Sequence, residues 1–129
     1  MLAPICSDSE YFIIFTYLHY LSTIAESVTF KKQWYRFYGA GGTQILTSPS
    51  ALSGYANVCT RDRAGWLSGE HPALGEEPVT RKICFPRSGQ DCQYTVEAQV
   101  VACGEGDGNI FYLYELPPTP QCSMVYCTQ

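Results

Sequence analysis

Hydrophobic and polar positions alternate most regularly between Tyr94 and Val101, where Tyr94, Val96, Ala98 and Val100 interleave with Thr95, Glu97 and Gln99. A period of two sets one apolar face against a core and predicts a strand. A second run, Ile110 to Leu116, alternates Tyr112 and Tyr114 with Phe111 and Leu113. Between the two lies Gly104-Glu105-Gly106-Asp107-Gly108-Asn109, whose Asp-Gly step suits the positive φ of a hairpin turn. The two runs are therefore expected to pair antiparallel. Pro117, Pro118 and Pro120 lack the amide donor that a central strand needs, so the chain must leave the sheet after Leu116. Upstream, Trp34 to Tyr38 followed by Gly39, Gly41 and Gly42 reads as strand then turn. Thr43 to Tyr55 is rich in Ser, Thr, Gly and Pro, and its one apolar pair, Ile45 and Leu46, supports only a brief strand.

The N-terminal part differs. Tyr11 to Ile24 reads YFIIFTYLHYLSTI, too short and too polar at His19 to span a membrane but suited to the apolar region of a secretory signal. Thr23 and Ala25 supply small residues at a cleavage position, whereas Asp8 and Glu10, with no Lys or Arg before them, contradict the basic start of such a signal. The competing readings are an ordinary buried helix or strand, or a segment of a longer protein cut off at its start. The organisation expected is a signal-like or linker segment over residues 1–30 and one module over residues 31–129.

Composition narrows the class. A chain of 129 residues with 46% hydrophobic and only 16% charged positions forms one modest core, rich in strands and turns. Net charge is -4, and Lys31, Lys32, Arg36, Arg81 and Lys82 form only short basic clusters, which argues against a nucleic-acid partner. Seven cysteines lead to disulfides, a metal site or a reactive thiol. The absence of any Cys-x-x-Cys pair, with only His19 and His71 to add imidazoles, favours disulfides in an extracellular setting over metal. Cleavage after Ala25 would remove Cys6 and leave Cys59, Cys84, Cys92, Cys103, Cys122 and Cys127, an even set able to close into three bridges. The fold class expected is mainly β: a small disulfide-stapled single domain with short antiparallel strands and long loops.

Candidate chemistry is sparse. Gly39 to Gly42 is followed by no Gly-Lys-Ser/Thr and reads as a turn rather than a phosphate loop. Glu105, Asp107 and Asn109 alternate as calcium ligands do, yet no downstream carboxylate completes a site, and no metal or cofactor is expected. His71 is the one histidine of the module, with Ser68 and Glu70 near in sequence. No Gly-x-Ser-x-Gly elbow accompanies them, so a structural histidine is the reading and a secreted hydrolase using His71 the alternative. Adjacent Glu76 and Glu77 would point to opposite faces and cannot share a proton. Ten tyrosines can build a core or a contact surface.

Several ordered blocks resemble one family. They are Trp34-Tyr35-Arg36-Phe37 with its glycine turn, Gly65-Trp66-Leu67-Ser68-Gly69-Glu70-His71-Pro72, Val79-Thr80-Arg81-Lys82-Ile83-Cys84, Ser88-Gly89-Gln90-Asp91-Cys92 and Val100-Val101-Ala102-Cys103. Tyr112-Leu113-Tyr114-Glu115-Leu116, Pro120-Gln121-Cys122 and Tyr126-Cys127 complete them. Together they resemble the eight-cysteine extracellular module of uromodulin and the major zymogen-granule membrane glycoprotein. The resemblance implies a non-enzymatic recognition or display module of a secreted or membrane-anchored mosaic protein, with an extracellular protein or glycan as ligand and neighbouring domains beside it. A purely structural spacer is a further alternative. Two departures qualify the transfer. Where uromodulin-like members carry an N-glycosylation acceptor whose glycan acts as a decoy for bacterial lectins, Ser68 and Glu70 break it here, leaving only Asn57-Val58-Cys59. Two family cysteines are missing, their places taken by Pro49 and Asp91, which is what loss of one whole bridge would leave.

Overall fold

The computed structural model of the chain describes residues 6–7, 10–16, 20–21, 31–48, 64–121 and 124–129. Its elements are strands: β1 (Phe12–Phe15), β2 (Tyr20–Leu21), β3 (Gln33–Tyr38), β4 (Ala64–Ser68), β5 (Val79–Arg87), β6 (Gln90–Gly104), β7 (Ile110–Leu116) and β8 (Val125–Cys127). They form one sheet in the order β1-β3-β7-β6-β5-β4-β8-β2. The mainly β, disulfide-bonded domain expected from the sequence is what the chain adopts. Most pairings are antiparallel, but β1 with β3 and β4 with β8 run parallel.

The two expected runs pair as anticipated, with Val100 opposite Tyr114 and Cys103 opposite Phe111. Their turn is a Glu105–Gly108 β-turn, closed by the Gly108 amide on the Glu105 carbonyl at 3.1 Å, with Gly108 at φ 88°. The positive φ falls on Gly108 and not on Asp107, so the loop is a type I turn with a glycine bulge. A second, tighter hairpin joins β5 to β6 through Ser88 (φ 52°) and Gly89 (φ 82°), the two positive-φ positions of a type I′ turn.

β1 and β2 occupy opposite ends of the strand order although only four residues separate Phe15 from Tyr20. Eight strands laid flat would span about 34 Å at ~4.8 Å per neighbour. The five residue steps reach no more than about 18 Å. The sheet is therefore forced to curl until its ends approach. Thr16, just after β1, and Thr128, just after β8, both meet the glycine turn: each donates its hydroxyl there, to the Gly42 and Gly41 carbonyls respectively, both at 2.8 Å. A Cβ on Gly42 would lie 2.5 Å from the Gln129 carbonyl carbon, and φ there is 117°, so the seam closes only over glycine.

The concave side holds the main core, including Phe37, Ile45, Leu67, Ile83, Phe85, Val100, Tyr114 and Tyr126. The convex side is polar over most of β5 and β6, where Thr80, Lys82, Glu97 and Gln99 are exposed. It turns apolar near Val101, Cys103, Phe111 and Leu113, which Tyr11 and Cys6 cover. Cys6 is bonded to Cys103 across 97 residues of sequence.

That bond corrects two expectations. Cys6 does not stand apart from the module, and Cys103 takes its partner from outside the expected six. The physical reason is that Val101 and Cys103 sit on the face away from the main core and need a cover, which residues before β1 supply. Residues 10–16 lie in or against the sheet rather than ahead of it. Cys84 is joined to Cys92, and Cys127 is also disulfide-bonded. Cys59, Cys122 and Pro49 lie outside the described residues, as does the Asn57 acceptor.

Replacing Cys6 and Cys103 together by alanine is expected to cost about 2–4 kcal/mol in urea unfolding. Deleting residues 1–25 should cost more, because it also strips Tyr11 and β1 from the sheet. A deletion as stable as the full chain would restore the reading of this segment as a removable leader.

Candidate functional site

The segment Trp66 to Pro72 concentrates the motif residues, and its local geometry separates them onto two sides of the sheet. Leu67 faces the core and is fully buried, so its neighbours Trp66 and Ser68 point to the convex side. Trp66 is half-buried, and its indole N–H donates to the Asp91 carbonyl at 3.0 Å. That carbonyl is available because the β5–β6 register shifts between Phe85 and Arg87, around Pro86, which has no amide to give. Asp91 thus anchors Trp66 through its backbone.

Gly69 then turns the chain inward at φ 125°. A Cβ there would meet the Arg81 Cδ at 2.9 Å and Nε at 3.0 Å. Glycine therefore lets Arg81 lie against the turn, where its Nε–H donates to the Glu70 carbonyl at 3.0 Å and Nη1 to the Thr80 carbonyl at 3.2 Å. The turn delivers His71 to the concave side, with Pro72 buried after it.

His71 stacks on Tyr112 with ring centroids 4.3 Å apart, and its Nε2 lies 2.6 Å from the Tyr114 hydroxyl. Tyr114 is wholly buried and already accepts the Ile45 amide at 3.0 Å. Buried, and with no other acceptor for its proton among the described residues, the phenol donates to His71, which makes Nε2 an acceptor and places the ring proton on Nδ1. Burial, with the Arg81 charge adding to it, lowers the His71 pKa from 6.5 to about 4. Burial pushes the Tyr114 phenol well above its ordinary range. At neutral pH the pair is an uncharged relay from the Ile45 amide through Tyr114 to His71, tying together three segments distant in sequence.

This arrangement holds structure and offers little chemistry. The ring nitrogen that a general base would use is occupied by a buried phenol. Ser68 is exposed on the opposite side of the sheet, paired in register with Lys82. Glu70 serves Arg81 through its backbone carbonyl. Among the described residues no three or more His, Cys, Asp or Glu converge as metal ligands. Asp107 instead caps its own turn, accepting the Asn109 amide at 3.0 Å and its side-chain amide at 2.8 Å.

The remaining motif residues are also structural. Tyr35 is buried and donates its hydroxyl to the Lys31 carbonyl at 2.8 Å. Phe37 packs 5.5 Å from the Tyr114 ring, and Trp34 covers the convex apolar cluster. Sequence reasoning identified His71 but missed its partners Tyr112, Tyr114 and Arg81. The shared face of Tyr112 and Tyr114 was visible in the alternation, whereas a contact across 43 residues carried no local signal. On the convex side, Lys32, Thr80, Glu97, Gln99 and Glu115 line a shallow depression of about 90 Å³.

Residues 35–128 match the family model described as uromodulin-like, D8C domain. The chain belongs to this family. It is 38% identical over 96 residues to mouse uromodulin, covering 74% of this chain and 14% of that protein. Dog pancreatic secretory granule membrane major glycoprotein GP2 is 40% identical over 99 residues, covering 76% of this chain and 18% of its own length. The human GP2 glycoprotein is 37% identical over 95 residues, 74% and 16% respectively. The chain thus spans less than a fifth of the length of these relatives. It is a D8C module of the extracellular, secreted or cell-surface, mosaic type.

The depressed His71 pKa sets a pH dependence. The folded state binds fewer protons than the unfolded one between pH 6.5 and about 4, so the His71 contribution is complete above that window and lost as pH falls through it. Allowing for solvent screening of the partly exposed ring, the loss is on the order of 1–2 kcal/mol. His71→Gln keeps an acceptor and cannot protonate, so its urea midpoint should fall less between pH 7 and pH 4 than that of the wild type. Equal falls would remove His71 as the sensitive group.

Proposed function

We propose that this D8C domain is a non-enzymatic recognition or display module that engages an extracellular protein or glycan through a surface rather than a cleft. One observation carries the reading: His71, the only histidine beside a serine and a carboxylate, has its ring nitrogen committed to buried Tyr114 while Ser68 faces the other side of the sheet. General-base catalysis needs a base and nucleophile within hydrogen-bond reach, and alternation across the strand separates them. This separation speaks against the hydrolase alternative.

The shape of the convex side supports the same reading. Among the described residues, the depression on this side, about 90 Å³, is several-fold smaller than the roughly 300–1,000 Å³ of small-molecule sites. The side chains around it, Lys32, Thr80, Glu97, Gln99 and Glu115, are hydrogen-bonding groups of both charges on a rigid ladder in which Thr80 opposes Gln99 and Gln99 opposes Glu115. Extended polar partners, a glycan chain or a protein loop, suit such a surface. Neighbouring domains in a longer chain, as in the relatives, would present it.

A panel of ester, peptide and glycoside substrates should show no turnover above background. Turnover abolished by His71→Ala with the fold intact would replace the binding reading by an enzymatic one. The bare convex side also makes a mass prediction. Protein secreted from a glycosylating host should keep its intact mass after glycosidase treatment, since Ser68 and Glu70 break the acceptor at this segment. A fall in mass would assign sugar to Asn57 and return a glycan-display role.

A further inference from the structure

Among the described residues, β1 is the terminal strand on its side of the sheet. Its side chains Phe12, Ile13 and Phe15 are 58%, 48% and 59% exposed. The strand is short, four residues, and its sequence Phe-Ile-Ile-Phe carries neither the lysine, the proline nor the inward charge that guard many edges.

Two hydrogen bonds orient this strand. The Thr16 amide donates to the Tyr38 carbonyl at 2.9 Å, and the Thr16 carbonyl accepts the Gly41 amide at 3.0 Å. Thr16 therefore turns its backbone groups toward β3 and the segment after it. Backbone groups alternate sides along a strand, so those of Ile14 and Phe12 also point to β3, while those of Ile13 and Phe15 point away. The side chains of Ile13 and Phe15 share the convex face with their register partners Arg36 and Tyr38. Phe15 meets Tyr38 edge-on at 6.3 Å, and Tyr38 is itself 51% exposed. The Arg36 guanidinium lies 3.8 Å from the Phe111 ring centroid and pairs with Glu105, which stiffens the floor beneath the patch.

We propose that β1 is a strand-addition edge by which a second copy of this chain docks, antiparallel and about a two-fold axis. The occupant follows from self-complementarity. When Ile14 of one copy lies opposite Ile14 of the other, each Ile13 faces the other copy's Phe15 on the convex side. Those are the residues whose backbone groups point outward, and the two pairs exchange about four backbone hydrogen bonds. The strand is uncharged, so the two-fold brings no like charges together along it despite a net charge of -4 per copy. The area sets the strength. Half-exposed side chains of this size offer about 100 Å² each, on the order of 400 Å² per copy for Phe12, Ile13, Phe15 and Tyr38. A stable complex buries about 800 Å² per partner, so this dimer is weak and forms when the module is concentrated.

Sedimentation of the full chain from micromolar to millimolar concentration tests this. The weight-average mass is expected to rise from 14.4 kDa toward twice that value, and Ile13→Lys or Phe15→Lys to hold it at the monomer value. Lys82→Glu, on distant β5, should leave the rise unchanged. Hydrogen exchange of the wild type gives a reading that needs no variant: the Ile13 and Phe15 amides gain protection with concentration, while those of Phe12 and Ile14 are protected throughout. A mass constant at 14.4 kDa, association that survives both lysine variants, a dimer resistant to denaturant without reductant, or Ile13 and Phe15 amides indifferent to concentration would each overturn the proposal.

Discussion

The Tyr114 hydroxyl is the point on which the concave side depends. It is wholly buried, and a buried hydroxyl left without partners costs about 1–3 kcal/mol. Both of its partners come from outside its own hairpin: the Ile45 amide, in a stretch with no strand of its own, and the His71 ring, on the turn after β4. Satisfying one oxygen thus fixes the position of two loops on the core. It also gives the histidine a structural role. At that place the phenol needs an acceptor that stacks on Tyr112, and neutral imidazole supplies both the lone pair and the ring.

The sheet is uneven in thickness, and this follows from the sequence of β6. Up to Gln99 its outward residues are polar and meet water; from Val100 to Cys103 it is buried on both faces. Four consecutive buried positions cannot belong to a one-sided strand, so a second layer has to exist there. Cys6 and Tyr11 contribute to it, clamped by the bond to Cys103. Covering one end of the convex side and leaving the other bare gives the module a reinforced end and a polar, presentable one.

Much of this architecture is legible in the sequence. The period-two pattern of Tyr94 to Val100, the Asp-Gly turn and the proline stop after Leu116 each carry their own physical cause within a few residues. The role of Cys6 was not legible because counting half-cystines favours an even set, and parity is silent about which set is even. The apolar run Val100 to Cys103 held the contrary signal, a strand with two dry faces. The His71 site was half legible: the absence of an elbow spoke against catalysis, while the tyrosines that hold it lie more than 40 residues away. Gly69 was quoted as a motif letter, and only the approach of Arg81 shows why no side chain fits there.

The Cys84–Cys92 bond crosses the β5–β6 hairpin close to its Ser88-Gly89 tip. A ladder with water on one face opens most readily from a free end. Here the tip is covalently shut, and the opposite end of β5 continues into the segment that carries His71 onto Tyr114. The thin half of the sheet therefore has no loose corner from which to peel. A protease or a pulling force has to open the polar face all at once, so its side chains keep their spacing while whatever they touch comes and goes.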